Sequence, residues 1–287
     1  MEKKAISCMS GGYKTVFTQG VLMALEEKSF FVDAYAGCSS SALISAYASI
    51  EKIRKLDLSL WINGLQISSI EGNSQSNAIQ HSIDNMFPLI QKELWQPSSH
   101  RLLIAVSFVK TKEGELLTQT DKAKRFGQKL LIEASRNIST WRDENLELQM
   151  FDTVKDNKTK LLTENNFKEV AYATTRMLHA WHLPAYINGE AYIDGSYTCL
   201  YPVLPLLELG YKYIICILTE HDNRKYDMFS NNEISIILDD TRIDFIQPDM
   251  NLKDVGVDFY AATEKSLNKA FMHGFAKGID YYKSIIN

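Results

Sequence analysis

The first fifty residues carry the same local pattern twice, and that repetition restricts the fold more than any other feature of the chain. Residues 5–9 form a short apolar run stopped by Ser10-Gly11-Gly12, after which Val16, Gly20, Val21, Leu22, Ala24 and Leu25 recur at helical spacing up to Glu26-Glu27-Lys28. Residues 30–36 form a second apolar run that ends at Gly37, and Ala42, Leu43, Ala46 and Ile50 again follow at helical intervals. Strands joined by helical crossovers lie parallel, and strands apolar on both sides belong to a sheet covered on both faces. The pattern therefore predicts an α/β fold with a mostly parallel central sheet between two helical layers.

Later segments extend this reading. Helix is expected over 51–65, a polar linker or loop over 68–80, and helix again toward Leu94 until Pro97-Ser98-Ser99 breaks it. Residues 102–109 read as a buried strand turned back by Glu113-Gly114, and 122–138 as helix. The charged, asparagine-rich stretches 142–147 and 156–166 carry no assignable periodicity. Residues 185–187 and 191–193 flank Asn188-Gly189, a pair that tolerates the positive φ of a type I′ hairpin turn, and this hairpin delivers Asp194-Gly195. Pro202 and Pro205 open a helix closed by Gly210; 213–218 is a further buried strand, 235–238 a short one, and 257–285 one or two closing helices. With 45% hydrophobic residues in 287, one core is expected, hence a single domain over 1–287.

Composition excludes several classes of function. A net charge of -4 gives no whole-chain footprint for nucleic acid or anionic lipid, and leaves only a local basic patch open. Cys8, Cys38, Cys199 and Cys216 lack C-x-x-C spacing and the density of a disulfide scaffold, which fits a reducing, cytoplasmic setting. The start carries no signal-peptide pattern, and no apolar run reaches the roughly 20 residues that span a bilayer, so membrane contact is expected to be peripheral. No calcium loop or spaced His/Cys/carboxylate cluster suggests a metal, and no cofactor is expected.

Two glycine-rich turns remain. Gly37-Cys38-Ser39-Ser40-Ser41 sits where a strand meets a helix, which is where a nucleophile elbow exposes its serine, although Ser41 stands in place of the last glycine of G-x-S-x-G. The alternative is a serine-rich helix cap. Ser10-Gly11-Gly12-Tyr13-Lys14 likewise precedes a helix, so its amides suit an anion, whether an oxyanion or a phosphate, but the Gly-Lys-Ser/Thr ending of a phosphate loop is absent. Asp194 beside Gly195 reads either as a turn aspartate or as an acid presented by the hairpin. His221 and His273 follow it in the order of a histidine triad but lie in no recognisable motif, and His179 and His182 read as structural.

Gly11-Gly12-Tyr13-Lys14, Gly20-Val21-Leu22, Gly37-Cys38-Ser39, Ala173-Thr174-Thr175 and Asp194-Gly195, in this order, resemble the patatin-like phospholipases over nearly the whole chain. Departures from the pattern fall at Ser10, Thr15, Ser41 and Ser196, all small residues. The resemblance implies a three-layer α/β/α patatin-like fold and a lipid acyl hydrolase of phospholipase or lysophospholipase type. In it Ser39 is nucleophile and Asp194 general base, with an oxyanion hole from the amides of Gly11, Gly12, Tyr13 and Ser40. Lys14, Gly37 and Gly195 support the site. Beside it stand an acyltransferase or thioesterase using the same dyad, and an inactive binding or regulatory module whose elbow has drifted. Phe87, Leu94, Trp95, Met177, Leu178 and Trp181 are candidates for an acyl channel, and 120–165 for a lid or insertion.

Overall fold

The computed structural model describes residues 2–70, 74–180, 182–222, 226–227, 232–233, 237–238 and 240–286. The two opening units become β1 (Lys4–Cys8), α1 (Val16–Glu27), β2 (Ala34–Cys38) and α2 (Ser40–Ala48). Next come α3 (Ser59–Ser69), α4 (Gln75–Leu94), β3 (Arg101–Val109), α5 (Lys112–Thr118), α6 (Ala123–Ser135), α7 (Thr140–Asn145), β4 (Leu146–Asp152) and β5 (Lys160–Leu161). Then follow α8 (Phe167–Thr175), β6 (Tyr186–Ile187), β7 (Glu190–Asp194), α9 (Val203–Glu208) and β8 (Tyr213–Ile217). The chain closes with β9 (Tyr226–Asp227), β10 (Asn232–Glu233), β11 (Ile237–Leu238), β12 (Thr241–Ile246) and α10 (Glu264–Ile286).

The main sheet runs β11-β12-β8-β1-β2-β3-β4-β5, with β12, β8, β1, β2 and β3 parallel. Alternation along the strands splits the core into two layers. Ile6, Cys8, Tyr35, Ile215 and Ile217 point to one face, where they join residues of α1, α2, α4 and α8. Ala5, Ala34, Ala36, Ile214 and Cys216 point to the other, against Val203 and Leu206 of α9. The expected three-layer arrangement with a mostly parallel sheet is the one observed.

β3 positions the site. Its first half pairs in parallel with β2 up to Cys38 opposite Ala105, and its second half pairs antiparallel with β7, which ends with Asp194 opposite Val106. The two strands thus meet head to head along one edge of β3, while β4 occupies its other edge. Ser39, the residue after β2, and Asp194, the last of β7, are brought together by that junction.

Several expectations need correction. The helix expected over 51–65 is a short turn at 53–55 followed by α3, and the loop expected over 68–80 is helical from Gln75. There Ser74 accepts the Asn77 amide and Asn77 returns a bond to the Ser74 amide, a reciprocal cap that starts a helix in polar sequence. Glu113-Gly114 does not reverse β3 but lies inside α5, whose cap is the Thr111 hydroxyl accepting the Gly114 amide at 3.0 Å. Of the strand expected over 235–238, residues 235–236 lie outside the described residues. Within 120–165, residues 146–152 are β4 of the central sheet. No helix among the described residues is long and apolar enough to cross a membrane.

Candidate active site

Ser39 follows the end of β2 with φ 57° and ψ -137°, a backbone conformation unfavourable for a residue with a side chain and costing roughly 1–3 kcal/mol. The surroundings hold it there. Its amide donates to Thr174 Oγ1 at 2.9 Å, and that hydroxyl donates to the Ala105 carbonyl at 2.7 Å, tying the turn to β3. A Cβ on Gly37 would lie 2.7 Å from the Ala42 backbone, so strand and helix approach this closely only with glycine at that position. Ser41, which departs from the elbow pattern, is fully buried and useful: its hydroxyl accepts the Cys38 amide at 3.0 Å and donates to the Cys8 carbonyl at 2.8 Å.

Ser39 Oγ donates to Asp194 Oδ2 at 2.8 Å. The other carboxylate oxygen accepts from the Ser196 amide at 2.9 Å and the Ser196 hydroxyl at 2.6 Å. The Asp194 backbone is fixed as well, its amide donating to the Arg176 carbonyl at 3.1 Å and its carbonyl accepting the Ser107 hydroxyl at 2.8 Å. Burial pushes the Asp194 carboxyl up to about 6, against the hydrogen bonds from Ser196 and Ser39 that favour its charged form. Gly195 is wedged into the strand junction, where a Cβ would sit 2.2 Å from the Ala105 carbonyl oxygen and 3.0 Å from Cys38 Sγ.

The glycine turn after β1 faces this pair. Gly12 has φ +55°, and the Phe259 carbonyl occupies the space a side chain would need. Among the described residues, no acceptor takes the amides of Gly11, Gly12 or Ser40. The Tyr13 amide differs: it donates to the Phe259 carbonyl at 3.3 Å. Gly12, Tyr13, Ser39 and Ser40 line one cavity, whereas Gly11 packs against Thr219. Buried Lys14 pairs with Glu220 at 2.7 Å and places its ammonium 4.8 Å from the Phe259 ring centre. It therefore ties the turn to the segment that covers it. The hydroxyls of Thr15 and Ser40 both donate to the Gly12 carbonyl, at 2.6 and 3.1 Å, bridging the turn to α2.

Two cavities meet at Phe259. The one holding Ser39 is walled by Leu43 of α2, Leu60 and Trp61 of α3, and Ala78 and Ile79 of α4. Trp61 is fixed by its indole N–H donating to Gln19 Oε1 at 2.6 Å. The other, which is larger, lies on the Asp194 side and includes Ser10, Ser196, Met177, His179, Leu131 and Tyr260. The residues expected to line an acyl channel are not the ones at Ser39. Phe87 and Trp95 pack on Phe167 in the core, Leu94 and Leu178 are fully buried, Met177 faces the larger cavity, and Trp181 lies outside the described residues. The reason is the α3–α4 pair, which covers the elbow with apolar residues remote in sequence from every motif.

The histidines stay apart from the pair. His273 Nε2 accepts the Asp249 amide, the His221 carbonyl accepts from Gln247, and His179 Nε2 bonds the Tyr260 hydroxyl at the wall of the larger cavity. All four cysteines are buried, none in a disulfide. Among the described residues no group of three His, Cys, Asp or Glu side chains could hold a metal ion. Thr174, Ser107 and Ser196 were not singled out by sequence as supports of the pair. Thr174 and Ser196 do stand within or beside the motifs, but Ser107 is one hydroxyl in an apolar strand and carries no signal.

No family model matches the chain, and no curated protein matches it. Among solved structures, VipD from Legionella pneumophila matches at 10% identity with a TM-score of 0.48, over 99% of this chain and 67% of that one.

Proposed function

We propose that this protein is a serine acyl hydrolase of the patatin-like type, cleaving lipid acyl esters through an acyl-enzyme on Ser39 with Asp194 as general base. One observation carries the reading: a serine in a strained strand-to-helix turn donates at 2.8 Å to a fully buried carboxylate, with unpaired amides beside it in an apolar cavity. A structural serine would not need that backbone conformation, and a structural carboxylate would be expected to pair with a cation or only with backbone amides.

In this mechanism Asp194 takes the Ser39 hydroxyl proton as Oγ bonds to the ester carbonyl carbon, and negative charge moves to the carbonyl oxygen. The amides of Gly12 and Ser40, with that of Gly11, stabilise that oxyanion; one such donor is worth about 3 kcal/mol. The carbon–oxygen bond to the alcohol then breaks, and Asp194 returns the proton to the departing alkoxide. A water gives a proton to Asp194 as its oxygen attacks the acyl-Ser39 carbonyl; the acyl–Oγ bond then breaks, Asp194 returns that proton to Ser39 Oγ, and a carboxylic acid leaves. A base near 6 is ionised at neutral pH yet far stronger than an ordinary aspartate, as the chemistry requires.

The cavity walled by Leu43, Leu60, Trp61, Ala78 and Ile79 supports an acyl chain as the group beside Ser39. The larger space on the Asp194 side favours a second reading, in which an alcohol or thiol acceptor takes the acyl group in place of water. Wild type, Ser39→Ala and Asp194→Asn, tested with a fluorophosphonate probe and a short-chain p-nitrophenyl ester, decide the matter. Labelling and turnover in wild type, lost in both variants, are expected. A folded wild type inert to both reagents sinks the enzyme reading in favour of a binding module. Product analysis with added alcohols separates hydrolysis from transfer.

A further inference from the structure

α6, in the 120–165 stretch, borders the larger cavity and turns its outer face to solvent. Ala123, Phe126, Leu130 and Ala134 are buried and anchor the helix to the protein. One edge, with Leu131, Ala134 and Ser135, lines the larger cavity on the Asp194 side. The outward stripe reads Lys122, Arg125, Lys129, Ile132 and Arg136, spaced three or four residues apart, so all five lie on one helical face. All are exposed, Ile132 by 53%.

Charge makes this stripe unusual. Between Lys122 and Arg136 there are five basic residues and one acidic, Glu133, in a chain whose net charge is -4. The Glu133 carboxylate pairs with Lys129, at 3.4 Å. Phe259 and Tyr260, 37% and 40% exposed, line the same cavity, and Met177 and Leu200 continue its apolar lining; Glu220, paired with Lys14, and Asp222 line it as well. An ordinary solvated face explains neither the one-sided charge nor the large aliphatic side chain at its centre. Basic residues flanking an exposed apolar side chain on an amphipathic helix suit the boundary between anionic head groups and acyl chains.

We propose that α6 docks this protein on an anionic lipid surface, with Lys122, Arg125, Lys129 and Arg136 against lipid phosphates and Ile132 entering the interface. Docked so, the helix that borders the larger cavity lies on the bilayer. That this orientation serves substrate entry rests on reading the protein as a lipid hydrolase, whereas the docking itself needs no catalysis.

The test is sedimentation of the full chain with vesicles of phosphatidylcholine alone, or with about 30% phosphatidylglycerol, alongside turnover of a soluble short-chain ester. Binding to the anionic vesicles alone, reversed by raised salt, is expected. Arg125→Gln/Lys129→Gln/Arg136→Gln should weaken it on the order of 100-fold, about fivefold for each charge removed. Lys265→Gln/Lys269→Gln, on exposed α10 positions, should leave it unchanged, and both variants should keep wild-type thermal melting and soluble-ester turnover. Equal binding to both vesicles, no binding, or unaltered binding by the α6 variant overturns the proposal. Charge-dependent binding by a wild type that never turns over ester would keep the docking and remove the hydrolase reading; turnover without such binding would do the reverse.

Discussion

Replacing Asp194 by Asn should make the protein more stable while abolishing its chemistry. A fully buried carboxyl held up to about 6, against 3.8 for the ordinary group, disfavours its own charge in the folded state. Its folded value is raised, so the associated stability is fully present below pH 3.8 and is lost as pH rises through about 6. At pH 7.5 the ionised side chain therefore costs about 3 kcal/mol, taking 1.36 kcal/mol for each pH unit between the two values. Asparagine carries no charge and fits the same contacts: its carbonyl can accept from the Ser196 amide and hydroxyl, and its amide can donate to Ser39 Oγ, which turns from donor to acceptor. Urea unfolding followed by tryptophan fluorescence should show the variant about 3 kcal/mol more stable at pH 7.5, or about 6 °C higher in Tm, with the gain vanishing toward pH 4. A variant less stable than wild type at pH 7.5, or a gain independent of pH, would refute the argument that burial of this charge is what tunes the base.

Three further outcomes follow from the same geometry. In wild type, kcat/KM for a soluble ester should fall tenfold per pH unit well below about pH 6; Ser196→Ala, lacking one hydroxyl donor to the carboxylate, should move that limb about one to two pH units upward and regain wild-type rate at high pH. Gly195→Ala should destabilise the fold by about 3 kcal/mol and uncouple Ser39 from Asp194, because its methyl meets the Ala105 carbonyl; urea melts and probe labelling both report this. Ala78→Phe, which fills the cavity beside Ser39, should spare butyrate esters and cost long-chain esters on the order of tenfold for each methylene that no longer fits, read from a chain-length series.

The parts legible in sequence were those whose signal is local. β1, β2, β3 and β8 are apolar on both sides because the sheet is covered on both faces, and the Asn188-Gly189 hairpin follows from two residues at φ 51° and 81°. β4 was not legible, since as a neighbour of the sheet's edge it exposes part of one face and begins in a charged stretch. The start of α4 was hidden by a cap made from two polar residues that read as loop. For the candidate site, both halves of the Ser39–Asp194 pair stood out, but the fixing of Ser39 by Thr174 and of Asp194 by Ser107 is tertiary. The cavity wall from α3 and α4 escaped for the same reason: an apolar residue facing a cavity and one facing the core look alike along a chain.

The meeting of β2 and β7 on β3 also has a consequence for how the molecule folds. Ser39 and Asp194 are 155 positions apart, and β7 holds its place on β3 through only three residue pairs. Contacts of such long range form late, after the closure of the intervening chain has been paid for. Ala191–Asp194 of β7 are buried, so the docking of this strand on β3 completes the core and brings base to nucleophile in one event. Ester turnover would then report on completion of that strand, lagging secondary structure during refolding.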